Sequence, residues 1–380
     1  MTISCSVERG GRATHAPSRL VCGLCEQPAD PLAWRCAACG GPLELASTPH
    51  FSADALRQDG GLWRYGAMLP ASRRVSLGEG GTPLIAASLR GTGFLAKLEF
   101  LAPTASYKDR GTAVLLSHLL GQGVRAVVED SSGNAGASLA AYAAAAGLQS
   151  RVYVPAHASD AKRRQIACFG AELRRVEGPR SATTAACEQA ADAERLVYAS
   201  HAWSPFCIAG HMTCAWEIWE QLGRRAPDAL VCPVGQGNLF LGLARGFAAL
   251  RQAGLIARLP RMYAAQAAAC APLAQAWAAG REQPRPAEEQ ATIAEGIRIA
   301  APIRGREVLR AIRATGGAAL ALPEAEIAAA QADLQRSGLL VEPTSAVAAA
   351  ALPAVRELLG AAATLVVPLT GSGLKSMSGG

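Results

Sequence analysis

The sequence has no apolar run approaching the roughly 18 residues that a membrane-crossing helix needs. Its start, "MTISCSVERGGRATHAPSRL", lacks the continuous apolar stretch of a secretory signal. Residues 1–19 therefore read as a disordered leader, and the cytoplasm as the compartment; no membrane partner is expected. Aromatic residues make up only 5% of the chain, and no basic run interleaves with them. The arginines come instead in scattered pairs, such as Arg163-Arg164, Arg174-Arg175 and Arg224-Arg225. That pattern argues against nucleic-acid binding. The formal net charge of +7 better suits a small anionic ligand.

What is present is length and alanine. A chain of 380 residues, half of them hydrophobic, can build two or three units around a large core. Eleven cysteines occur, and four are clustered as Cys22-x-x-Cys25 and Cys36-x-x-Cys39. Two such knuckles bring four thiolates within reach of one tetrahedral Zn²⁺. Gly23, Gly40 and Gly41 free the backbone there, and Trp34 and Leu43 offer an apolar cap. With four cysteine ligands no coordination position stays open, so the predicted metal is structural, and its binding supplies most of the ribbon's folding energy. The other seven cysteines are dispersed and read as small buried hydrophobes in a reducing compartment.

From about residue 76 the pattern alternates. Short apolar runs predict strands at 94–100, 126–130, 151–155, 172–178, 229–235, 261–267, 318–323 and 364–370. Alanine- and leucine-rich stretches of helical spacing lie at 110–121, 135–146, 182–195, 211–223, 238–253 and 324–337. This is an α/β arrangement with helices covering a mostly parallel sheet, in which ligands bind at the carboxyl ends of strands.

Four strand-end loops stand out. "PTASYKDRGTA" (103–113) carries Lys108, which alone reads as a solvated cation. "SSGNAGAS" (131–138) carries Asn134 and opens a helix, as an ordinary N-cap also would. "PVGQGNLFLG" (233–242) sets Gly235 and Gly237 ahead of a helix N-terminus, a cup of N–H groups suited to an anion. It is not a P-loop, because no Gly-Lys-Ser/Thr follows. "PLTGSGLKS" (368–376) offers Thr370 and Ser372 on what is otherwise a polar turn. An amine, an amide, an anion cup and a hydroxyl at the strand ends of one α/β body form a set that suits pyridoxal phosphate.

The motifs "SYKDRG", "SSGNAGAS", "PVGQGN" and "LTGSGLKS" resemble those of fold-type II pyridoxal-phosphate enzymes, the tryptophan synthase β-like superfamily. The zinc ribbon ahead of "LGEGGTPL" (77–84), with "LTGSGLK", residues 292–317 and "VEPTSAVA" (341–348), is most similar to the threonine synthase branch. The resemblance covers roughly residues 20–376. It implies a two-domain, three-layer α/β/α body preceded by the small ribbon. The expected organisation is leader 1–19, ribbon 20–46, connecting segment 47–75 and catalytic body 76–376, with a smaller subdomain at about 110–215 inserted in the larger one.

By resemblance, Lys108 bonds the cofactor's aldehyde and later acts as acid–base group. Asn134 faces the cofactor's 3′-oxygen. Gly235, Gln236, Gly237, Asn238 and Leu239 hold its phosphate. Thr370 faces the pyridine nitrogen, with Ser372 as the alternative. Ser372 stands where threonine synthases usually show histidine in "TGHG". A neutral hydroxyl does not hold the pyridine nitrogen protonated, which favours elimination and replacement over transamination. The resemblance implies conversion of O-phospho-L-homoserine and water to L-threonine and phosphate, by a homodimer. The neighbouring activities are a lyase or dehydratase acting on threonine, serine or diaminopropionate, and a replacement enzyme such as cysteate synthase. A non-enzymatic scaffold built on the ribbon is the reading of a different class.

Strand-end position makes Ser131, Ser132 and Lys162 the candidates for the substrate phosphate, while Arg163 and Arg164 read as a solvated helix face. His201, in "YASHAWSPF", is either a substrate contact or a loop histidine satisfied by backbone. Glu295 either orients the ligand or is a helix-start carboxylate. Trp216 and Trp219 read as packing.

Overall fold

A computed structural model describes residues 18–156, 160–178 and 180–376, with the backbone alone at 160–162 and 376. The predicted leader lies outside the described residues up to residue 17.

The chain opens with three short strands, β1 (Leu20–Cys22), β2 (Pro28–Ala29) and β3 (Leu43–Leu45). They pair antiparallel in the order β2-β1-β3, with Cys22 opposite Leu43. Leu43 is fully buried and forms the apolar floor of this ribbon. A 3₁₀ segment, Gly61–Met68, follows and buries Leu62, Trp63 and Tyr65. Next comes the hairpin β4 (Leu84–Leu89) and β5 (Thr92–Lys97). The strand predicted over 94–100 ends at Lys97, because Glu99–Leu101 turns as a 3₁₀ helix around the buried Glu99, which accepts from the Thr82 hydroxyl at 2.6 Å.

Regular alternation then begins: α1 (Lys108–Gly121), β6 (Ala126–Glu129), α2 (Asn134–Ala146), β7 (Gln149–Pro155), α3 (Asp160–Ala167), β8 (Glu172–Val176), α4 (Arg180–Glu194) and β9 (Val197–Tyr198). It continues through α5 (Pro205–Gln221), β10 (Ala229–Pro233), α6 (Asn238–Gln252), β11 (Arg261–Ala267), α7 (Pro272–Ala278), α8 (Gly305–Thr315), β12 (Ala318–Leu322), α9 (Glu324–Arg336), α10 (Pro343–Ala350), α11 (Leu352–Leu359) and β13 (Leu365–Pro368).

The described residues form two compact units, 18–80 with 108–210, and 81–107 with 211–376. The first holds the ribbon and a four-stranded parallel sheet, β8-β7-β6-β9. Alanines of α2 (Ala137, Ala140) pack on Val152 and Val154 of β7 together with Ile166 and Ala171. The small side chains let the helix lie close to the sheet. The second unit holds a six-stranded sheet, β12-β11-β10-β13-β5-β4, parallel except for the β4–β5 hairpin at its edge. Strand β10 is buried at every residue, as a central parallel strand covered on both faces must be. Trp216 and Trp219 are core residues, and the Trp216 indole donates to the Gly246 carbonyl at 3.1 Å. Among the described residues, no helix is long and apolar enough to cross a membrane.

Candidate functional site

In the first unit, Ser131, Ser132 and Asn134 follow the carboxyl end of β6. Lys108 is the first residue of α1 and half-buried. Its neighbour Asp109 is fully buried and accepts from the Ser138 hydroxyl of α2 at 2.7 Å. Ser138 also lies 2.8 Å from the Thr112 hydroxyl. These bonds fix the start of α1 against the helix that carries the 131–134 loop. Ser131, Ser132 and Asn134 are each half-exposed. The loop is tight: the Gly133 N–H donates to Ser131 Oγ at 3.3 Å, and a Cβ at Gly136 would lie 1.9 Å from the Ser131 carbonyl oxygen. Lys162 belongs to α3, but its side chain lies outside the described residues. Arg163 is half-buried and donates to the Ala156 carbonyl at 3.0 Å, whereas Arg164 is exposed.

Three buried anchors were not singled out from the sequence. Glu79 accepts from the Trp63 indole (2.8 Å), the Tyr142 hydroxyl (2.6 Å), Ser76 (3.0 Å) and the Leu77 N–H (2.9 Å). Burial, with the charges of Asp109 and Glu79, pushes the Tyr142 phenol well above its usual range, so it stays a donor. Replacing Tyr142 with phenylalanine leaves this buried carboxylate short of a donor. Thermal denaturation is expected to show a loss of about 1–3 kcal/mol.

Asp130 accepts from Tyr198 (2.7 Å), Thr184 (2.6 Å) and Arg180 (2.8 Å). Burial pushes its carboxyl up, but the Arg180 charge and these bonds outweigh burial and hold it below its ordinary value. Glu129 accepts from the His201 backbone N–H at 3.2 Å, and its Oε1 lies 2.9 Å from His201 Nδ1. His201 is thus held by a carboxylate rather than by backbone alone.

The four ribbon cysteines converge as their spacing predicts. Their sulfur atoms all lie within 4.8 Å of one another, with separations of 3.4, 3.5 and 3.6 Å along the sequence Cys22, Cys39, Cys25, Cys36. A tetrahedral zinc with Zn–S bonds of about 2.3 Å needs sulfurs about 3.8 Å apart, so the donor set fits. Trp34 does not cap the ribbon from within. It packs edge-on against Tyr198 and Trp203 at 5.1 and 5.2 Å between ring centroids. His118 of α1 stacks on Phe206 and donates from Nε2 to the Pro31 carbonyl at 2.9 Å.

In the second unit, β10 leads through residues 234–237 into α6. Gly237 has φ +96°, a left-handed conformation that favours glycine, and a Cβ there would lie 2.5 Å from Val308. The N-cap residue, Gly237, brings no side chain to the helix start. Gln236 Oε1 accepts from the Ile303 N–H at 3.0 Å, while Asn238 and Leu239 are buried in the first turn. Gly235 completes the cup.

Thr370 and Ser372 are both buried. A fourth residue missed from the sequence, Ser345 at the start of α10, organises them. Its Oγ accepts from the Thr370 and Gly371 N–H groups (2.9 and 3.1 Å) and lies 3.0 Å from Thr370 Oγ1. Ser372 Oγ accepts from the Leu374 N–H at 3.3 Å. The same segment is tied to the stretch before Lys108: the Tyr107 N–H donates to the Thr370 carbonyl, and the Ser372 N–H to that of Ala105. Glu295 starts an exposed 3₁₀ turn.

Comparison with known proteins shows the family. Residues 75–371 match the family model described as "Pyridoxal-phosphate dependent enzyme". A threonine synthase of Methanosarcina acetivorans is 32% identical over 93% of this chain and 90% of its own. One of Methanocaldococcus jannaschii is 34% identical over 89% and 87%. Among solved structures, the processed form of threonine deaminase isoform 2 from Solanum lycopersicum aligns with TM-score 0.68 and 20% identity over 86% of this chain and 92% of that one. Maize serine racemase aligns with TM-score 0.66 and 22% identity over 77% and 88%. At those identities the two structures share the fold with this chain.

Proposed function

The chain belongs to the pyridoxal-phosphate-dependent enzyme family, and we propose that within it the protein is a threonine synthase, converting O-phospho-L-homoserine and water to L-threonine and phosphate. The observation that carries this is the similarity to threonine synthases along nearly the whole chain, 93% of it in one case. Racemases and deaminases share the fold at lower identity.

Bound pyridoxal phosphate supplies an electron sink that makes protons next to the amino-bearing carbon removable. Lys108 would hold the cofactor's aldehyde carbon. Its released amine then carries the α proton away and returns it. Asn134 would donate to the cofactor's 3′-oxygen. The N–H groups of residues 235–239 would bind the phosphate, and the αL turn at Gly237, which brings no side chain to the helix start, supports that role. Thr370, whose hydroxyl lies 3.0 Å from that of Ser345, would present a neutral hydroxyl to the pyridine nitrogen, with Ser372 as the alternative. Ser131 and Ser132, with Lys162, are assigned to the substrate phosphate. Zn²⁺ on Cys22, Cys25, Cys36 and Cys39 is structural, and the sulfur geometry supports it. On the family resemblance we place the enzyme in the cytoplasm as a homodimer, with the ribbon at 20–46 and the catalytic body at 76–376.

Gly237→Ala imposes a Cβ on an αL residue and presses it against Val308. Equilibrium dialysis is expected to show cofactor affinity down by about tenfold or more, since strain of this kind costs about 1–3 kcal/mol. The function itself is tested by following phosphate release from O-phospho-L-homoserine and 2-oxobutanoate release from L-threonine in parallel. Turnover of the first with none of the second is expected; the reverse pattern marks a dehydratase.

A further inference from the structure

Glu129 is a buried acid that none of the cofactor roles uses, with 1% of its side chain exposed. It is the last residue of β6, and β9 runs parallel beside it, paired Val128 to Tyr198. The Ala199 N–H continues this pairing to the Val128 carbonyl at 2.9 Å. His201 therefore emerges beside Glu129 at the carboxyl ends of two adjacent parallel strands, where ligands of such sheets bind. The carboxylate grips it twice, at the backbone N–H (3.2 Å) and at Nδ1 (2.9 Å). Both the turn and the ring are thereby oriented. The loop carrying Ser131, Ser132 and Asn134 follows Glu129 after one residue. That residue, Asp130, is locked separately by Tyr198, Thr184 and Arg180.

We propose that His201, oriented by Glu129, is a second proton-transfer residue of this enzyme, which takes a proton from the water that adds to the substrate's β carbon. The proposal rests on the threonine synthase reading. A Nδ1–H donated to Glu129 places the lone pair on Nε2. As the water oxygen bonds to the β carbon, its proton passes to Nε2. Phosphate expulsion, with loss of a β proton, leaves a β,γ double bond, and return of that proton to the γ carbon moves the double bond between the α and β carbons; as water adds, its electron pair shifts to the α carbon, where Lys108 returns the proton it took. The imidazolium is stabilised by Glu129 and gives its proton to the departing phosphate or to solvent.

The surrounding charges suit this role. Burial first, then the Lys108 charge, pushes His201 well below its ordinary value, so it is neutral at neutral pH. Burial, then the charge of Asp130, pushes Glu129 well above the ordinary carboxylate value, and the His201 N–H, Arg180 and Lys108 offset only part of that rise. The Cys187 thiol of α4 is pushed up by burial and by Asp130 and Glu129, which keeps it uncharged beside them.

The test uses the cofactor-loaded enzyme with O-phospho-L-homoserine and quantifies phosphate, threonine and 2-oxobutanoate by NMR. His201→Asn is expected to release phosphate within about tenfold of the parent rate, while threonine falls about a hundredfold or more. The missing product appears as 2-oxobutanoate and ammonium, formed when the elimination product is hydrolysed. Glu129→Gln turns an amide N–H toward Nδ1, forces the other tautomer and is expected to shift the products the same way. In the cofactor-free protein, the His201 ring protons should titrate well below pH 6.5 in the parent, and the titration should move in Glu129→Gln. Threonine equal to phosphate in His201→Asn overturns the proposal and leaves the threonine synthase reading intact. Loss of both products together also overturns it and marks a structural histidine. A parent enzyme that makes no threonine instead sinks the functional reading itself.

Discussion

Lys108→Ala is expected to lose turnover of O-phospho-L-homoserine by at least about a thousandfold, measured as phosphate release. On the proposed reading, two roles are lost at once. The amine that bonds the cofactor's aldehyde is gone, and so is the base that moves the α proton. The buried contacts around it should survive, because Asp109, Ser138 and Thr112 bond one another without the lysine side chain. Far-ultraviolet dichroism and the melting temperature should therefore stay close to those of the parent. The cofactor should still bind through the 235–239 cup, but without the absorbance of its covalent bond to lysine. A small external amine should restore part of the rate. Turnover that is unaffected by the substitution contradicts any catalytic role for Lys108 and favours a scaffold.

Cys36→Ser carries the second large effect. Cys36 is buried, and its sulfur lies 3.6 Å from that of Cys25. With one thiolate removed, metal analysis should fall from one zinc per chain to well below one. Zinc binding contributes about 10–16 kcal/mol in isolated zinc-finger peptides, and this ribbon has little besides Leu43 and Leu20 to replace it. Its strands should unfold locally. The effect should spread, because Trp34 packs on Tyr198 and Trp203. Tyr198 in turn donates to Asp130, one residue ahead of the Ser131 loop. Tryptophan fluorescence and the melting temperature should both change, and a strong chelator should reproduce the effect in the parent. An intact melting curve after zinc removal contradicts the structural role.

Much of the site was legible because its residues break the pattern around them. Small and polar residues that interrupt apolar runs after 97, 129, 233 and 368 mark strand-end loops, and those loops carry Lys108, Asn134, Gly235 to Leu239 and Thr370. The ribbon was legible because ligand spacing is local. What escaped is held by contacts distant in sequence. Ser345 meets Thr370 across 25 residues, Tyr142 meets Glu79 across 63 and Tyr198 meets Asp130 across 68. Each is an ordinary polar residue in its own neighbourhood. Strand β9 escaped because only two residues pair, and β4 because its half-exposed "LIAASL" shows no clean alternation. In α10 the alanine run is buried on nearly every side, so it carries no helical stripe.

The most direct measurement of the central claim is the fate of solvent oxygen when the cofactor-loaded enzyme turns over O-phospho-L-homoserine in heavy-oxygen water. Expulsion of phosphate breaks the carbon–oxygen bond, and water then adds at the β carbon. The account therefore predicts threonine and phosphate in equal amounts, with one heavy oxygen in the threonine hydroxyl and none in the phosphate. Heavy oxygen in the phosphate, or phosphate accompanied by 2-oxobutanoate in place of threonine, would contradict it.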